Sequence, residues 1–269
     1  MADDFLHTTL GRTGLRVHRL GLSASYRPGQ AAVRRAVELG LNYFFCYGFD
    51  SHMTAVLRDL FQKDREKYVV ATGPYNFIWG HQNFRKTLEK RLRQLKADYI
   101  DIFLFLGVMK ETQFSPQLRA ELRALRDEGK IKAIGCSTHN RQFAGRLLAS
   151  DEIDVIMMRY NAAHPGAERD IFPHLEHRQG VVSYTATRWR YLLKRPKGWP
   201  KDRRIPTAGD AYRFVLSNPN VHVCLTAPSN LKQLEENVAA VQKGPLSDTD
   251  MIFMREFGQA VHERKKWFM

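Results

Sequence analysis

Asp98-Tyr99-Ile100-Asp101-Ile102-Phe103-Leu104-Phe105-Leu106 is apolar without interruption from Ile102 onward. A strand with one wet face alternates apolar and polar residues. This one does not, so it reads as a strand covered on both faces, as in a parallel sheet flanked by helices. Downstream, Leu118, Leu122 and Leu125 fall at helical spacing within 116–128, and the pattern stops at Gly129. A second apolar run, 131–136, follows. The three segments together are a strand–helix–strand unit.

The same alternation extends in both directions. Strands are expected over 17–22, 42–46, 68–72, 100–106, 131–136, 153–158, 180–185 and 221–225. Helices are expected over 30–39, where Gly40 supplies a C-terminal stop, and over 83–95, where Phe84, Leu88, Leu92 and Leu95 form one stripe. Further helices are expected over 116–128, 206–217 and 229–241, the last with Ser229 as its N-cap. Eight such units in 269 residues predict an α/β chain folded as one (β/α)₈ barrel domain over 1–269. A doubly wound sheet is the competing architecture. It more often shows a glycine-rich phosphate turn after the first strand, and Leu22-Ser23-Ala24-Ser25-Tyr26-Arg27-Pro28-Gly29 contains neither GxGxxG nor GxxxxGK[ST].

Composition narrows the class. With 43% hydrophobic residues the chain can bury a full core, and 18 glycines and 11 prolines exclude collagen-like and low-complexity types. No apolar run reaches the ~20 residues of a membrane helix, and the acidic start, Met1-Ala2-Asp3-Asp4, lacks a signal-peptide core. Cys46, Cys136 and Cys224 stand singly, which supports neither a disulfide framework nor a metal site, and a reducing cytoplasmic setting is expected. Lys and Arg total 42 against 28 Asp and Glu, a net charge of +14. Such a charge fits an anionic partner or a merely solvated basic surface.

Several segments resemble the aldo-keto reductases. Leu10-Gly11-Arg12-Thr13-Gly14-Leu15-Arg16-Val17 with Arg19-Leu20-Gly21-Leu22 is similar to that family's opening β-hairpin and first barrel strand. Asp98-Tyr99-Ile100-Asp101 resembles its fourth strand and Gly129-Lys130-Ile131-Lys132-Ala133-Ile134-Gly135-Cys136-Ser137 its fifth. Tyr160-Asn161, His164 and Gly166-Ala167-Glu168 resemble the end of its sixth, and Gln233-Leu234-Glu235-Glu236-Asn237 its adenine-side helix. The resemblance runs in order from about residue 8 to residue 240. It implies a (β/α)₈ barrel with an N-terminal β-hairpin, an oxidoreductase acting on a small molecule, and NADP(H) stretched across the C-terminal barrel mouth. A monomer is expected.

The family's Asp/Tyr/Lys/His group is where the chain departs. Its aspartate falls on Phe45, its lysine on Gly73 and its histidine on Leu106. Its tyrosine falls on Asp50, or on Tyr47 if a short deletion is allowed. The ordinary proton relay is therefore absent, and the site is expected to be atypical. Tyr47, Asp50 and His139 remain as possible proton-handling groups, with Tyr47 and His139 taken as the catalytic candidates. Lone loop histidines are often merely solvated. Tyr75, Phe77, Trp79 and His81 form an aromatic loop that walls a pocket or packs on itself. Cys46 lacks a partner that would activate it.

On the cofactor side the resemblance assigns Tyr184 to stacking on the nicotinamide, with an ordinary barrel tyrosine as the plain alternative, and Ser137 to the carboxamide. Thr138 and Met157 replace two further carboxamide contacts. Ser229 and Asn230 begin a helix whose N-terminus suits a phosphate, with Lys232 nearby, and Gln233 and Asn237 face the adenosine half. This cluster favours NADPH over NADH. The segment 188–204 holds eight basic residues and one acid, with Trp189, Tyr191 and Trp199 among them. It reads as a pyrophosphate clamp begun by Arg188, as a solvated loop, or as a single-strand nucleic-acid platform. Arg159 stands where the family often has Glu. A binding protein without catalysis is the competing function, either a ligand or NADP(H) sensor or a nucleic-acid partner.

Overall fold

Two short strands, β1 (His7–Thr9) and β2 (Arg16–His18), pair antiparallel ahead of the barrel, with His7 opposite His18. The computed structural model describes residues 4–46, 50–75 and 83–264. Eight parallel strands then close on themselves: β3 (Leu20–Ser23), β4 (Tyr43–Phe45), β5 (Val69–Thr72), β6 (Ile100–Val108), β7 (Ile131–Thr138), β8 (Val155–Arg159), β9 (Gly180–Tyr184) and β10 (Val223–Thr226). β10 pairs with β3 to complete the ring. This is a (β/α)₈ barrel preceded by a hairpin.

The expected strand 17–22 is two strands. Val17 belongs to the hairpin and Leu20 opens the barrel. The break is held by Arg19, whose guanidinium donates to the carbonyls of Leu216 (2.7 Å) and Val221 (2.8 Å). Leu10 and Val17, both fully buried, close the lower end of the barrel by packing on its interior cluster.

Strand β6 shows why the apolar run was continuous. Ile102, Leu104 and Leu106 join the cluster inside the barrel, while Phe103 and Phe105 join the layer between strands and helices. Both faces are dry, so both need apolar residues.

Helices α1 (Gly29–Glu38), α2 (Ser51–Asp64), α3 (Phe84–Leu95), α4 (Pro116–Asp127), α5 (Arg141–Ala149), α6 (Ala167–Asp170), α7 (Ala208–Leu216), α8 (Leu231–Val241) and α9 (Asp248–Arg264) surround the barrel. Their starts are chemically marked. Asn83 accepts from Lys86 N (2.7 Å), and Thr207 and Asp210 cap each other's backbone N–H groups at α7. The cap of α8 is Asn230 rather than Ser229: Asn230 is extended, and its Oδ1 accepts from Gln233 N (3.0 Å). Among the described residues no helix is long and apolar enough to cross a membrane.

One ion pair is built into the outer wall. Arg65, just after α2, donates to the Tyr68 carbonyl (2.7 Å), the Tyr99 carbonyl (3.1 Å) and Asp101 Oδ2 (2.6 Å). Its guanidinium lies over Phe61 (4.4 Å) and Tyr99 (4.1 Å). The same Asp101 oxygen accepts from Val70 N (2.9 Å), tying β5 to β6.

His18 stabilises the turn between hairpin and barrel. Leu20 N donates to its Nδ1 (3.0 Å), so that nitrogen carries no proton. Burial, partly opposed by the nearby Leu20 carbonyl, pushes the imidazole down from 6.5 to about 4. The unfolded chain therefore gains a proton near pH 6.5 that the native chain refuses until about pH 4. Stability is full above that window and falls as pH drops through it. At ~1.4 kcal/mol per pH unit, acidification from 6.5 to about 5 is expected to cost about 2 kcal/mol. Urea unfolding at the two pH values measures this. His18→Gln should flatten the dependence, and a flat wild-type profile would contradict it.

Candidate active site at the C-terminal barrel mouth

Chemistry in such barrels sits where the strands end. The positions that would hold the family's catalytic group are closed. Phe45, the last residue of β4, is 2% exposed and belongs to the interior cluster. Gly73, just past β5, has no space for a side chain: a Cβ there would overlap the carbonyl oxygen of Leu104 on β6. Leu106 is buried, its N–H donates to the Pro74 carbonyl (2.9 Å), and it bridges to Tyr75. Asp50 is the N-cap of α2, its Oδ1 accepting from His52 N (2.8 Å) and Met53 N (3.4 Å). A helix start thus accounts for one oxygen of this carboxylate, while Oδ2 is buried with no hydrogen-bond partner among the described residues. Tyr47, with Phe77, Trp79 and His81, lies outside the described residues, while Tyr75 packs on the interior cluster. Cys46 is buried, with its Sγ 3.5 Å from Thr54 Oγ1, and burial raises its pKa.

The opposite arc of the mouth, formed by the ends of β7, β8 and β9, is polar. Ser137 is buried near the end of β7, close enough to Tyr184 for its hydroxyl to act on the phenol. Thr138 turns away to accept from Asn140 N (2.9 Å), which leaves His139 at the strand's exit. Tyr184 ends β9 and sits directly opposite Arg159 at the end of β8. The Tyr184 hydroxyl lies 3.2 Å from His139 Nδ1, and the two rings meet edge to face, 5.6 Å apart at 88°. Sequence brings together none of these three residues; the ring closure of strands β7 to β9 does.

Electrostatics in this arc has one sign. Burial holds the Tyr184 hydroxyl well above the ordinary phenol value, with the Ser137 hydroxyl and the Arg159 charge pulling partly back. Burial, then the Arg159 charge, lowers His139, so its imidazole is neutral at pH 7. His164 is pushed to about 3 by burial and by Arg159 and Arg188. Its ring stands edge-on to His262 at 5.1 Å.

The cofactor candidates occupy two places. Ser137 and Tyr184 share the mouth. At α8, Ser229 N donates to Gln233 Oε1 (2.9 Å), so Ser229, Asn230 and Gln233 form one capping cluster at the helix start. Asn237 is buried one layer below, donating to Thr226 Oγ1 (3.0 Å), which in turn donates to the Tyr212 hydroxyl (3.0 Å). Lys232 is exposed, 3.9 Å from Glu236.

Three of the eight basic residues of segment 188–204 are engaged by the rest of the fold. Arg188 is fully buried, and its Nη1 donates to the Val261 carbonyl of α9 (2.9 Å). Arg203 pairs with Glu256 (2.7 Å), and Arg204 with Asp210 (3.0 Å) and Asp250 (2.7 Å). Trp199 packs on Phe257 at 4.8 Å. Arg188, Trp189 and Arg190 all have left-handed backbone, with φ of 49°, 49° and 70°. Such conformations cost non-glycine residues about 1 kcal/mol or more each.

The family model for the aldo/keto reductase family matches residues 20–188. An L-galactose dehydrogenase of Arabidopsis thaliana is 27% identical, with 86% of each chain covered. An NADH-specific methylglyoxal reductase of Escherichia coli is 26% identical over 67% of this chain and 65% of that one. In shape, the chain is similar to the holo form of an aldo-keto reductase from Bacillus halodurans. The TM-score is 0.76 at 22% identity, over 94% of this chain and 96% of that structure. With its barrel, its hairpin and a family match over more than half its length, the chain belongs to the aldo/keto reductase family.

Proposed function

We propose that this protein is an NADP(H)-dependent oxidoreductase with an atypical active site, working on a small carbonyl compound or the corresponding alcohol. The observation that bears the reading is the Tyr184–His139–Ser137 cluster at the exit of β7 and β9. It fits a nicotinamide: Tyr184 offers a flat ring whose hydroxyl is held by His139, and Ser137 offers a hydroxyl to a carboxamide. The nicotinamide, when bound, supplies or accepts the hydride. Ser229, Asn230 and Gln233 at the start of α8 suit the phosphate at the adenosine end, with Asn237 bracing the helix beneath them. Arg188 serves by fixing the loop from below rather than by reaching solvent.

His139 is the proton-handling group of this reading, with Tyr47 as the second candidate from sequence. A neutral imidazole accepts the proton in alcohol oxidation, and the imidazolium so formed returns it in carbonyl reduction. With Phe45, Gly73 and Leu106 supplying no acid, reduction of nitrobenzaldehyde is expected to fall about 10² to 10⁴ below a typical ~10 per second. Fluorescence titration with NADPH and NADH is the direct test, with NADPH expected to bind more tightly. Binding of neither at millimolar concentration would remove the oxidoreductase reading, and ordinary turnover of nitrobenzaldehyde would refute the atypical site.

A second reading rests on Gly73. Because no side chain fits there, the barrel can be a catalytically inactive ligand or NADP(H) sensor. Cofactor binding with no turnover in either direction over a panel of alcohols and aldehydes would favour it.

A further inference from the structure

We propose that the C-terminal end of the barrel docks mouth-first on an anionic lipid bilayer, with the tips of four loops entering the headgroup layer. The proposal goes beyond the oxidoreductase reading and does not depend on it.

Among the described residues five large apolar side chains are well exposed, and four of them stand at one end of the barrel. Tyr26 follows β3, Met109 follows β6, Trp189 lies in the loop after β9, and Leu231 opens α8 after β10. In a ring of parallel strands these segments all leave from the same end. Exposed apolar residues scattered singly need no explanation. Each of these four, however, is followed directly by an exposed cation: Arg27, Lys110, Arg190 and Lys232. The fifth, Ile252, lies on α9 and is followed by the buried Phe253.

The cations are open to an anionic surface. Arg27, Lys110 and Arg190 make no ion pair among the described residues, and Lys232 is 3.9 Å from Glu236. Glu111, next to Lys110, is taken by Arg146 (3.0 Å). The loop that carries Trp189 adds Lys194, Lys197 and Lys201, all exposed.

The arrangement selects the partner. Protein interfaces gather apolar residues in a central patch and place charge at the rim. Here every apolar tip has its cation beside it, which is the pairing of an interfacial anchor: the apolar side chain lies below the headgroups and the charge among them. β6 stands four strands from β10 in the ring, so the tips span the whole end of the barrel, as an extended surface requires. Single-stranded nucleic acid would need a stacking platform. Met109 and Leu231 cannot stack on bases, and Trp199 is already packed on Phe257.

Flotation with vesicles of phosphatidylcholine containing about one-third phosphatidylserine, and with phosphatidylcholine alone, tests this on the protein without cofactor. Wild type is expected to bind the anionic vesicles at least about tenfold more tightly, and to lose most of that binding at about 0.5 M salt. Met109→Ser with Trp189→Ser, which keeps every charge, should weaken binding at least about fivefold. Arg27→Glu with Lys110→Glu leaves segment 188–204 untouched. It should weaken binding at least about tenfold, and it decides the matter if the first variant melts early. The same reversal on the barrel's flank, Lys86→Glu with Lys90→Glu on α3, should change binding less than about twofold. Binding to neither vesicle, equal binding to both, or unchanged affinity in either mouth variant that keeps the parent melting temperature would overturn the proposal. An equal loss in the α3 variant would also overturn it, by making the attraction a property of net charge. Retention on a single-stranded oligonucleotide without vesicle binding would assign this end of the barrel to nucleic acid instead. No cofactor enters the assay, so failure here is distinct from failure of the NADPH titration.

Discussion

Replacing Gly73 by lysine is expected to unfold the barrel rather than restore a proton relay, and Gly73→Ala alone should cost about 4 kcal/mol. The new Cβ would overlap the Leu104 carbonyl oxygen, a main-chain atom of the neighbouring strand. That strand cannot retreat cheaply, since Ala71 pairs with Ile102 and Thr72 with Phe103 immediately below. Overpacking in a tight core costs roughly 1–3 kcal/mol, and each ladder bond given up adds about 1 kcal/mol. Gly135→Ala is the matched control. Its Cβ would first meet the Leu104 side chain, which can change rotamer, so a loss of about 1 kcal/mol is expected there. Urea unfolding of both variants decides. A Gly73→Ala protein within about 1 kcal/mol of the parent would show that the neighbouring strand yields.

Arg65→Met is expected to lower stability by roughly 3 kcal/mol, through the charge it leaves behind. Asp101 is 2% exposed, and without Arg65 its carboxylate keeps only Val70 N and the more distant Lys132 Nζ at 3.6 Å. Removing one partner of a buried pair costs about 3–5 kcal/mol, and Lys132 moves the expectation to the lower end. The flexible thioether still covers Phe61 and Tyr99, so packing loss is small. Arg65→Met combined with Asp101→Asn should recover at least half of the loss, because the amide oxygen still accepts from Val70 N. Chemical denaturation of the single and double variants measures it. A loss under about 1 kcal/mol in Arg65→Met would mean that water or Lys132 already neutralises Asp101.

The barrel was legible because its strands are dry on both faces, and β6 states this in five consecutive residues, Ile102 to Leu106. The hairpin was legible only through resemblance. By pattern, β2 and β3 merged into one strand, since a turn held by the Arg19 guanidinium on distant carbonyls leaves no glycine or proline as a marker. Helices α2, α5 and α9 are not among those expected from the sequence, although Met53, Val56, Leu57 and Phe61 do follow helical spacing. Their polar faces and short flanking strands diluted the signal. At the site, the loss of the family's lysine was readable at Gly73, but its steric cause is a contact with a strand about thirty residues on. Likewise the Tyr184–His139 contact spans 45 residues and exists only through strand register. The charge of segment 188–204 was legible and the destination of its C-terminal part was not, because the acids and aromatic ring that receive Arg203, Arg204 and Trp199 lie on α7 and α9.

That destination turns the last helix into a splint for the mouth. Segment 188–204 begins four residues after Tyr184 with three left-handed residues in a row, a shape the chain would not hold unaided. Val261, Glu256, Phe257 and Asp250 of α9 grip it along its length. Fraying of the 17-residue α9 therefore loosens the lip beside the reactive face without touching any residue there. Conversely, a ligand that orders the lip tightens a helix on the barrel's outer surface, so the two ends of this clasp should exchange protection against hydrogen exchange together.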